Sequence, residues 1–338
     1  MEKIKIGQIG IGHNHGEAKM MAIRKFPELF EVIGVCEENP DWINKRGHAK
    51  GYENLPFMSE KELLSKCDAI LVETDVWNLT QTAKRCVEAG KHIHLDKPAN
   101  GNYEDYKAVI DIAKKNNLIL QLGYMYRYNS AIMYCFDAVK AGKLGEIYSI
   151  NAEMSTFHAK EYKEWLTNFN GGIMYILGSH LVDLIVYLLG ETQRIVSFLK
   201  HTRLDGVDFP DNNQAILEYE NALARINVTS VEVNGYGRRQ FSVSGSKGTI
   251  EIEPIERPTK IWYSDLEIMN GQSYEGCKQY IDVRNLSGDE RYDEMVQDFY
   301  SYMVGTKENP YTYDHELLVH KIIAEVCGGY NEIKENTK

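Results

Sequence analysis

From residue 3 to about 123, short apolar runs alternate with stretches of helical periodicity. The runs at 4–11, 32–36, 69–73, 92–95 and 119–122 have the length and the β-branched content of buried strands. Helix signals lie between them. Ser59-x-x-Glu62 is a capping box, Asn78 is placed to cap a helix over 79–88 that stops at Gly90, and Asn102 opens another over 103–116. Strands separated by helices of this length imply right-handed crossovers and a parallel sheet. The pattern predicts a Rossmann-like, doubly wound α/β domain over residues 1–123.

The character changes after Gly123. Residues 131–141 read as a helix, 146–156 as a long strand and 172–189 as a strongly apolar helix. Several β-rich runs follow, at 215–219, 223–233, 240–244 and 249–252. The turn at Ser246-Lys247-Gly248 marks the last two as antiparallel neighbours. Helices near 291–304 and 315–330 close the chain. The expectation for 124–338 is an α+β domain around a large, mostly antiparallel sheet.

Composition narrows the partners. The chain has 338 residues, enough for two domains, and 38 basic against 49 acidic residues give a net charge of −11. No basic run stands out, which argues against nucleic acid and against an anionic membrane surface. No segment has the length of a membrane span, and the first residues lack the pattern of a signal peptide. Six cysteines without a C-x-x-C pair fit reduced core thiols and a cytoplasmic protein.

The chemistry begins where the first strand turns into the first helix, at Gly10-Ile11-Gly12-His13-Asn14-His15-Gly16. Gly10 permits the tight turn, and Gly12 lets backbone approach a pyrophosphate at the helix N-terminus. His15 stands where a third glycine is usual, and Gly16 is placed to take over the close helix–strand packing. Glu37 follows the second strand, about 20 residues beyond the glycines, where an acid grips the adenosine ribose. Such a carboxylate accepts from both ribose hydroxyls and repels a 2′-phosphate, so NAD is favoured over NADP. Arg46 is the nearest guanidinium able to reverse that preference. His13 with His15, and His92 with His94, have a spacing that suggests metal, but no carboxylate or Cys completes a recognisable ligand set in the sequence. No metal is expected.

The segment Ala89-Gly90-Lys91-His92-Ile93-His94-Leu95-Asp96-Lys97-Pro98 resembles the AGKHV-x-x-EKP motif of the glucose–fructose oxidoreductase / inositol dehydrogenase / rhizopine catabolism (Gfo/Idh/MocA) family, with Asp96 in place of Glu. The resemblance continues through Gly123-Tyr124-Met125-Tyr126-Arg127-Tyr128-Asn129, through Lys143-Leu144-Gly145-Glu146-Ile147, and from Gly171-Gly172 to Gly190. It implies a Rossmann domain followed by an open-faced sheet domain, assembled as homodimers or homotetramers. It implies that NAD meets Gly10, Gly12, His13, Asn14, Glu37, Asp96, Lys97 and Pro98. Lys97 corresponds to the catalytic lysine, and His180 to a catalytic histidine that also contacts substrate. A cis bond before Pro98 is often seen. Tyr126, Arg127, His158, Trp165 and Tyr175 complete the expected substrate contacts. Two departures stand out: Ile176 replaces an Asp four residues before His180, and Asp75 and Leu79 replace a Pro and a His after the family's fourth strand.

The residues support the lysine assignment independently. Lys97 follows a strand at its carboxyl end, where open α/β sheets bind ligands, and a partly desolvated amine there can take or return a proton. Ile176, His180 and Asp183 share one helical stripe beside Leu177, Leu181, Leu184 and Leu188, which read as core. Asp183 reads as structural. The leading expectation is an NAD-dependent dehydrogenase acting on a secondary alcohol of a sugar, cyclitol or polyol. Two rivals share the scaffold: a glycoside-cleaving enzyme that oxidises transiently and eliminates, and a non-catalytic NAD or sugar sensor.

Overall fold

The computed structural model describes residues 3–286, 288 and 290–331. The chain forms two compact units. The first gathers Met1–Met125, Gly288–His320 and Tyr330–Lys338; the second gathers Tyr126–Ser287 and Lys321–Gly329. The sequence pattern divides the chain once, near residue 123, whereas the contacts also return a later segment to the first unit.

In the first unit the elements run β1 (Ile4–Ile9), α1 (Gly16–Arg24), β2 (Phe30–Cys36), α2 (Pro40–Arg46), α3 (Glu60–Lys66), β3 (Ala69–Val72), α4 (Leu79–Glu88), β4 (His92–Leu95), α5 (Tyr103–Lys115) and β5 (Leu120–Leu122). The sheet order is β2-β1-β3-β4-β5, with every pairing parallel. Strands covered on both faces need apolar side chains at successive positions, and β3 is buried at all four. The chain leaves β1 to one side for β2 and crosses to the other for β3. That reversal opens a crevice at the carboxyl ends of the strands.

The caps expected from the sequence form at α5 and α3 but not at α4. Asn102 and Asp105 form the full capping box of α5, and Ser59 accepts from the Glu62 amide. Asn78 does not cap α4, because its own backbone is already turned into helical angles. Asn100 does so from a distant loop: its Oδ1 accepts from the Thr80 amide at 2.9 Å, and its Nδ2 donates to the Trp77 carbonyl at 2.6 Å.

The second unit carries α6 (Ser130–Lys140), β6 (Ile147–Glu153), α7 (Lys160–Leu166), α8 (Ser179–Leu189), β7 (Arg194–Lys200), β8 (Asn212–Glu218), β9 (Leu223–Thr229), β10 (Gln240–Gly245), β11 (Gly248–Ile252), β12 (Ile261–Asp265), α9 (Leu266–Met269) and β13 (Gln279–Ile281). Eight strands lie in the order β13-β12-β11-β10-β6-β9-β8-β7. Only β6 and β9 pair in parallel. Alternation sorts the faces: Ile150, Ala152, Ala215, Leu217, Ile226 and Phe241 are buried, and α8 packs against β6 and β9. The opposite face presents Asn151, Arg225, Asn227 and Ser242, with exposed Val196 and Phe198 toward one edge.

The apolar helix expected over 172–189 is interrupted by a π-helical turn at Met174–Gly178. A wider turn rotates the residues that follow, so the stripe counted at 3.6 residues per turn does not persist. Leu181 and Leu184 are core, while Leu177 and Leu188 are only partly buried.

Two further helices, α10 (Asp293–Met303) and α11 (Tyr313–Val326), end the described chain. α10 belongs to the first unit. Gln121 donates to the Met295 carbonyl at 3.1 Å, and the Phe30 and Tyr300 rings meet edge to face.

Candidate cofactor and catalytic site

The crevice at the ends of β1, β2 and β3 holds a cavity of about 490 Å³, lined among others by Gly10, Glu37, Glu38, Trp42, Asp75 and Arg85. Gly10 has φ +87°, and a Cβ there would lie 2.5 Å from the Thr74 backbone, so no other residue fits the turn. At Gly16 a Cβ would press on Gln8 and Glu73 at 3.1 Å, which makes it the close-packing glycine of the helix. Glu37 is held rigidly: Oε2 accepts from the Ile11 amide and Oε1 from the Asn39 amide, both at 2.9 Å. Each oxygen keeps a further lone pair for a hydroxyl donor. A glycine turn, an adjoining helix N-terminus and a fixed carboxylate are the donor and acceptor set that a dinucleotide needs, so the residues present fit NAD.

Arg46 does not point into open space. Its guanidinium donates to the Gly12 carbonyl at 2.9 Å, the His13 carbonyl at 2.8 Å and the Asn14 Oδ1 at 2.6 Å. The side chain of Asn14 is thus engaged within the loop.

A buried charge cluster lies behind the glycine loop. The Lys19 Nζ bridges Glu73 Oε1 at 2.9 Å and Asp96 Oδ2 at 2.7 Å, and all three side chains are fully shielded from solvent. His13 Nδ1 is 2.8 Å from the same Asp96 oxygen, and His15 Nδ1 is 3.2 Å away. Burial acts against the charge on Asp96, but His13, Lys19 and His15 outweigh it and hold the carboxyl well below the usual range. For Glu73 burial and the neighbouring Asp96 prevail over Lys19, so its carboxyl is held well above that range. Burial pulls the Lys19 ammonium down, yet its two carboxylates win and keep it raised. Burial drives His15 down to about 3 against the pull of Asp96, so its imidazole is neutral near pH 7.

Lys97 adjoins this cluster. It is 3% exposed, its amide donates to Asp96 Oδ1 at 2.6 Å, and its bond to Pro98 is cis. His13, His15 and Asp96 offer three ligand atoms within 4.8 Å of one another. The Lys19 ammonium already occupies the cation position on that carboxylate. His94 is spent in the core, with Nδ1 2.8 Å from Gln121 Oε1 and its ring against Phe299. Burial pushes the Cys36 thiol up to about 12, which rules out a thiolate beside the cavity at neutral pH.

In the second unit, Tyr126 and His180 pack ring edge to face at 4.8 Å. The Tyr126 hydroxyl donates to Glu256, and Arg239 donates to that hydroxyl and to Glu256 Oε1, each at 3.0 Å. His158, Tyr162, Trp165, Phe169 and Tyr175 form a run of ring contacts with centroids 4.5 to 5.5 Å apart. Arg127, expected to meet substrate, pairs its guanidinium with buried Asp183 at 2.5 and 3.0 Å. Two charges shielded together must be paired, and this pair gives Asp183 its structural role.

Sequence reasoning missed Lys19, Glu73, Arg239 and Glu256. A signal existed for Lys19, which shares a helical stripe with buried Gly16, Met20 and Ile23, where a lysine is out of place. Arg239 and Glu256 carried none.

The chain's likeness to known proteins follows the same division. Residues 4–124 match the model of the oxidoreductase family with an NAD-binding Rossmann fold, and residues 133–251 match the GFO/IDH/MocA C-terminal domain. An uncharacterized oxidoreductase of Schizosaccharomyces pombe is 22% identical over 65% of this chain; the aligned segment spans only 61% of that relative. Myo-inositol 2-dehydrogenase of Thermotoga maritima is 26% identical over 80% of this chain and 81% of its own. A solved oxidoreductase from Agrobacterium radiobacter, in complex with NAD+, L-tartaric acid and magnesium, superposes with a TM-score of 0.80 at 16% identity, covering 98% of this chain and 96% of that one. The glycine turn, the parallel sheet and both family matches agree, and the chain belongs to the Gfo/Idh/MocA family of oxidoreductases, with an NAD-binding Rossmann fold in its N-terminal part.

Proposed function

We propose that the protein is an NAD-dependent dehydrogenase acting on a secondary alcohol of a sugar, cyclitol or related polyol. One observation carries this reading: Lys97 stands buried at the carboxyl end of a parallel strand, its backbone locked by Asp96, in the same unit as the dinucleotide crevice. The names of relatives support the substrate class, since myo-inositol 2-dehydrogenase and glucose-6-phosphate 3-dehydrogenase both act on ring alcohols. Bound NAD supplies the two-electron acceptor for the carbon–hydrogen bond that breaks. Lys97 takes the proton from the hydroxyl oxygen. His180, with no carboxylate at position 176 to fix its tautomer, positions substrate through a hydrogen bond. Tyr126, His158, Trp165 and Tyr175 offer the rings and polar tips that a polyol ring needs. Residues 1–123 serve the dinucleotide and 124–338 the substrate, in a cytoplasmic homodimer or homotetramer built on the open face of the second sheet. Among the described residues no helix is long and apolar enough to cross a membrane.

The test is a screen in which NAD reduction is followed with myo-inositol, aldohexoses and their phosphates, with calorimetry of both dinucleotides alongside. NAD is expected to bind at least about tenfold tighter than NADP, a difference of about 1.4 kcal/mol, and Glu37→Ala to narrow that gap. A protein that neither binds NAD nor reduces it with any polyol would remove the reading. Light scattering that shows only monomer at micromolar concentration would remove the assembly.

A further inference from the structure

We infer that Arg46 is a positioning residue for the dinucleotide phosphates, acting through the glycine loop and not by reading a 2′-phosphate, with Trp42 and Asp75 holding it in place. The inference rests on the NAD-binding reading above.

Arg46 Nη1 lies 3.3, 2.9 and 2.8 Å from the successive carbonyls of Ile11, Gly12 and His13, and Nη2 lies 2.6 Å from Asn14 Oδ1. A trans peptide is planar, and its N–H points opposite its C=O. Drawing three carbonyls toward one guanidinium therefore turns the amides of Gly12, His13 and Asn14 to the other side of the loop. The Glu73 carbonyl takes the His13 amide at 2.9 Å, which ties that turn to β3. The amides of Gly12 and Asn14 are left facing where a pyrophosphate approaches a helix N-terminus, and successive amides turned one way form an anion cradle.

The guanidinium is itself held. Trp42 and Arg46 stand four residues apart on α2, and the cation lies 4.8 Å from the centre of the indole. Trp42 Nε1 donates to Asp75 Oδ2 at 2.9 Å. A Cβ at Gly12 would meet that indole nitrogen at 3.0 Å and Asp75 Oδ1 at 3.1 Å, so the bracket lies directly against the loop. Asp75 is the residue that departs from the family's proline, and here it has a defined task.

The same contacts argue against a phosphate-reading role. Both terminal nitrogens of Arg46 are occupied within the loop. Arg85, the guanidinium that lines the cavity, is bidentate on Glu60 at 2.6 and 2.9 Å. Glu37, Glu38 and Asp75 line the same cavity and oppose a dianion.

The experiment is calorimetric titration of NAD, NADP and ADP-ribose into wild type, Arg46→Met, Arg46→Lys and Trp42→Phe, with circular dichroism to verify folding. Arg46→Met is expected to weaken NAD and ADP-ribose by about tenfold or more, and NADP by the same factor. Arg46→Lys keeps the charge but cannot span three carbonyls, so it should stay close to the Met variant. Trp42→Phe keeps a ring beneath the cation and removes the bond to Asp75, for a loss of about threefold. The inference is overturned if Arg46→Met binds NAD as tightly as wild type, if Arg46→Lys regains full affinity, or if only NADP is weakened. Should Arg46→Met fail to fold, the Lys and Phe variants decide. A wild type that binds none of the three ligands would instead defeat the cofactor reading.

Discussion

Both units bury ion pairs, and those built on Lys19 and on Arg127 differ in their surroundings. In the first unit Lys19 meets Asp96 and Glu73, and Asp96 also receives two imidazoles and the amide of Lys97. In the second unit Arg127 meets Asp183 in a two-pronged pair, while the neighbouring His180 stands against the Tyr126 ring with Ile176 where the family has a carboxylate. Charge is concentrated beside Lys97, whereas His180 has the aromatic Tyr126 as a ring neighbour. Glu256 accepts from the Tyr126 hydroxyl, and the Tyr126 ring in turn packs against His180.

The comparison can be broken from either side. Lys19→Met removes the ammonium that pairs with buried Asp96 at 2.7 Å, and removing one partner of a buried pair typically costs about 3–5 kcal/mol. Urea unfolding should show that loss. An unchanged midpoint would mean that His13 alone balances Asp96.

Lys97→Met should lower kcat/KM by at least about 100-fold while leaving NAD binding and melting nearly intact, as expected when a positioned base is lost. Full activity in this variant would mean that the proton leaves by another route.

Acid should reach the first unit before the second. His15 and His94 are neutral when folded, with burial holding both at about 3, whereas burial holds His158 at about 4. A histidine with a lowered folded pKa takes up its proton first in the unfolded chain. Stability is therefore intact above the unfolded value near 6.5 and falls as pH drops toward the folded one, by up to about 1.4 kcal/mol per pH unit for each such group. Asp96 adds to the loss at the acid end, and Glu73 opposes it because its folded value is raised. Hydrogen exchange at pH 4.5 should show residues of β4 and α1 opening ahead of β6 and β9. The reverse order would show that the carboxyl groups, and not the imidazoles, govern acid stability.

His180→Asn is the mildest of the four. Loss of one positioning hydrogen bond costs about 0.5–1.5 kcal/mol, roughly 2- to 13-fold in kcat/KM. Damage equal to that of Lys97→Met would make His180 a base and would erase the distinction between the two regions.

The sequence by itself determined the parallel sheet, because strands buried on both faces must be apolar throughout and their helices announce themselves by caps such as Asn102. It also determined the glycine turn and the place of Glu37, since a φ of +87° against the Thr74 backbone admits only Gly10, and the acid lies at a fixed distance along the chain. Tertiary structure decided the rest. The cap of α4 comes from Asn100, 20 residues from the amide it satisfies, and no local pattern predicts it. Helix α10 joins the first unit through Gln121 and Phe30, a choice made by apolar burial among distant segments. The π-helical turn before His180 moved the phase on which a 3.6-residue stripe depends. Ionisable groups were the least legible of all. A lysine reads the same in sequence whether it lies on a surface or between two buried carboxylates. Only the meeting of α1 with the ends of β3 and β4 makes Lys19 the counter-ion of Asp96, because the energy of a charge depends on what surrounds it and not on its neighbours in the chain.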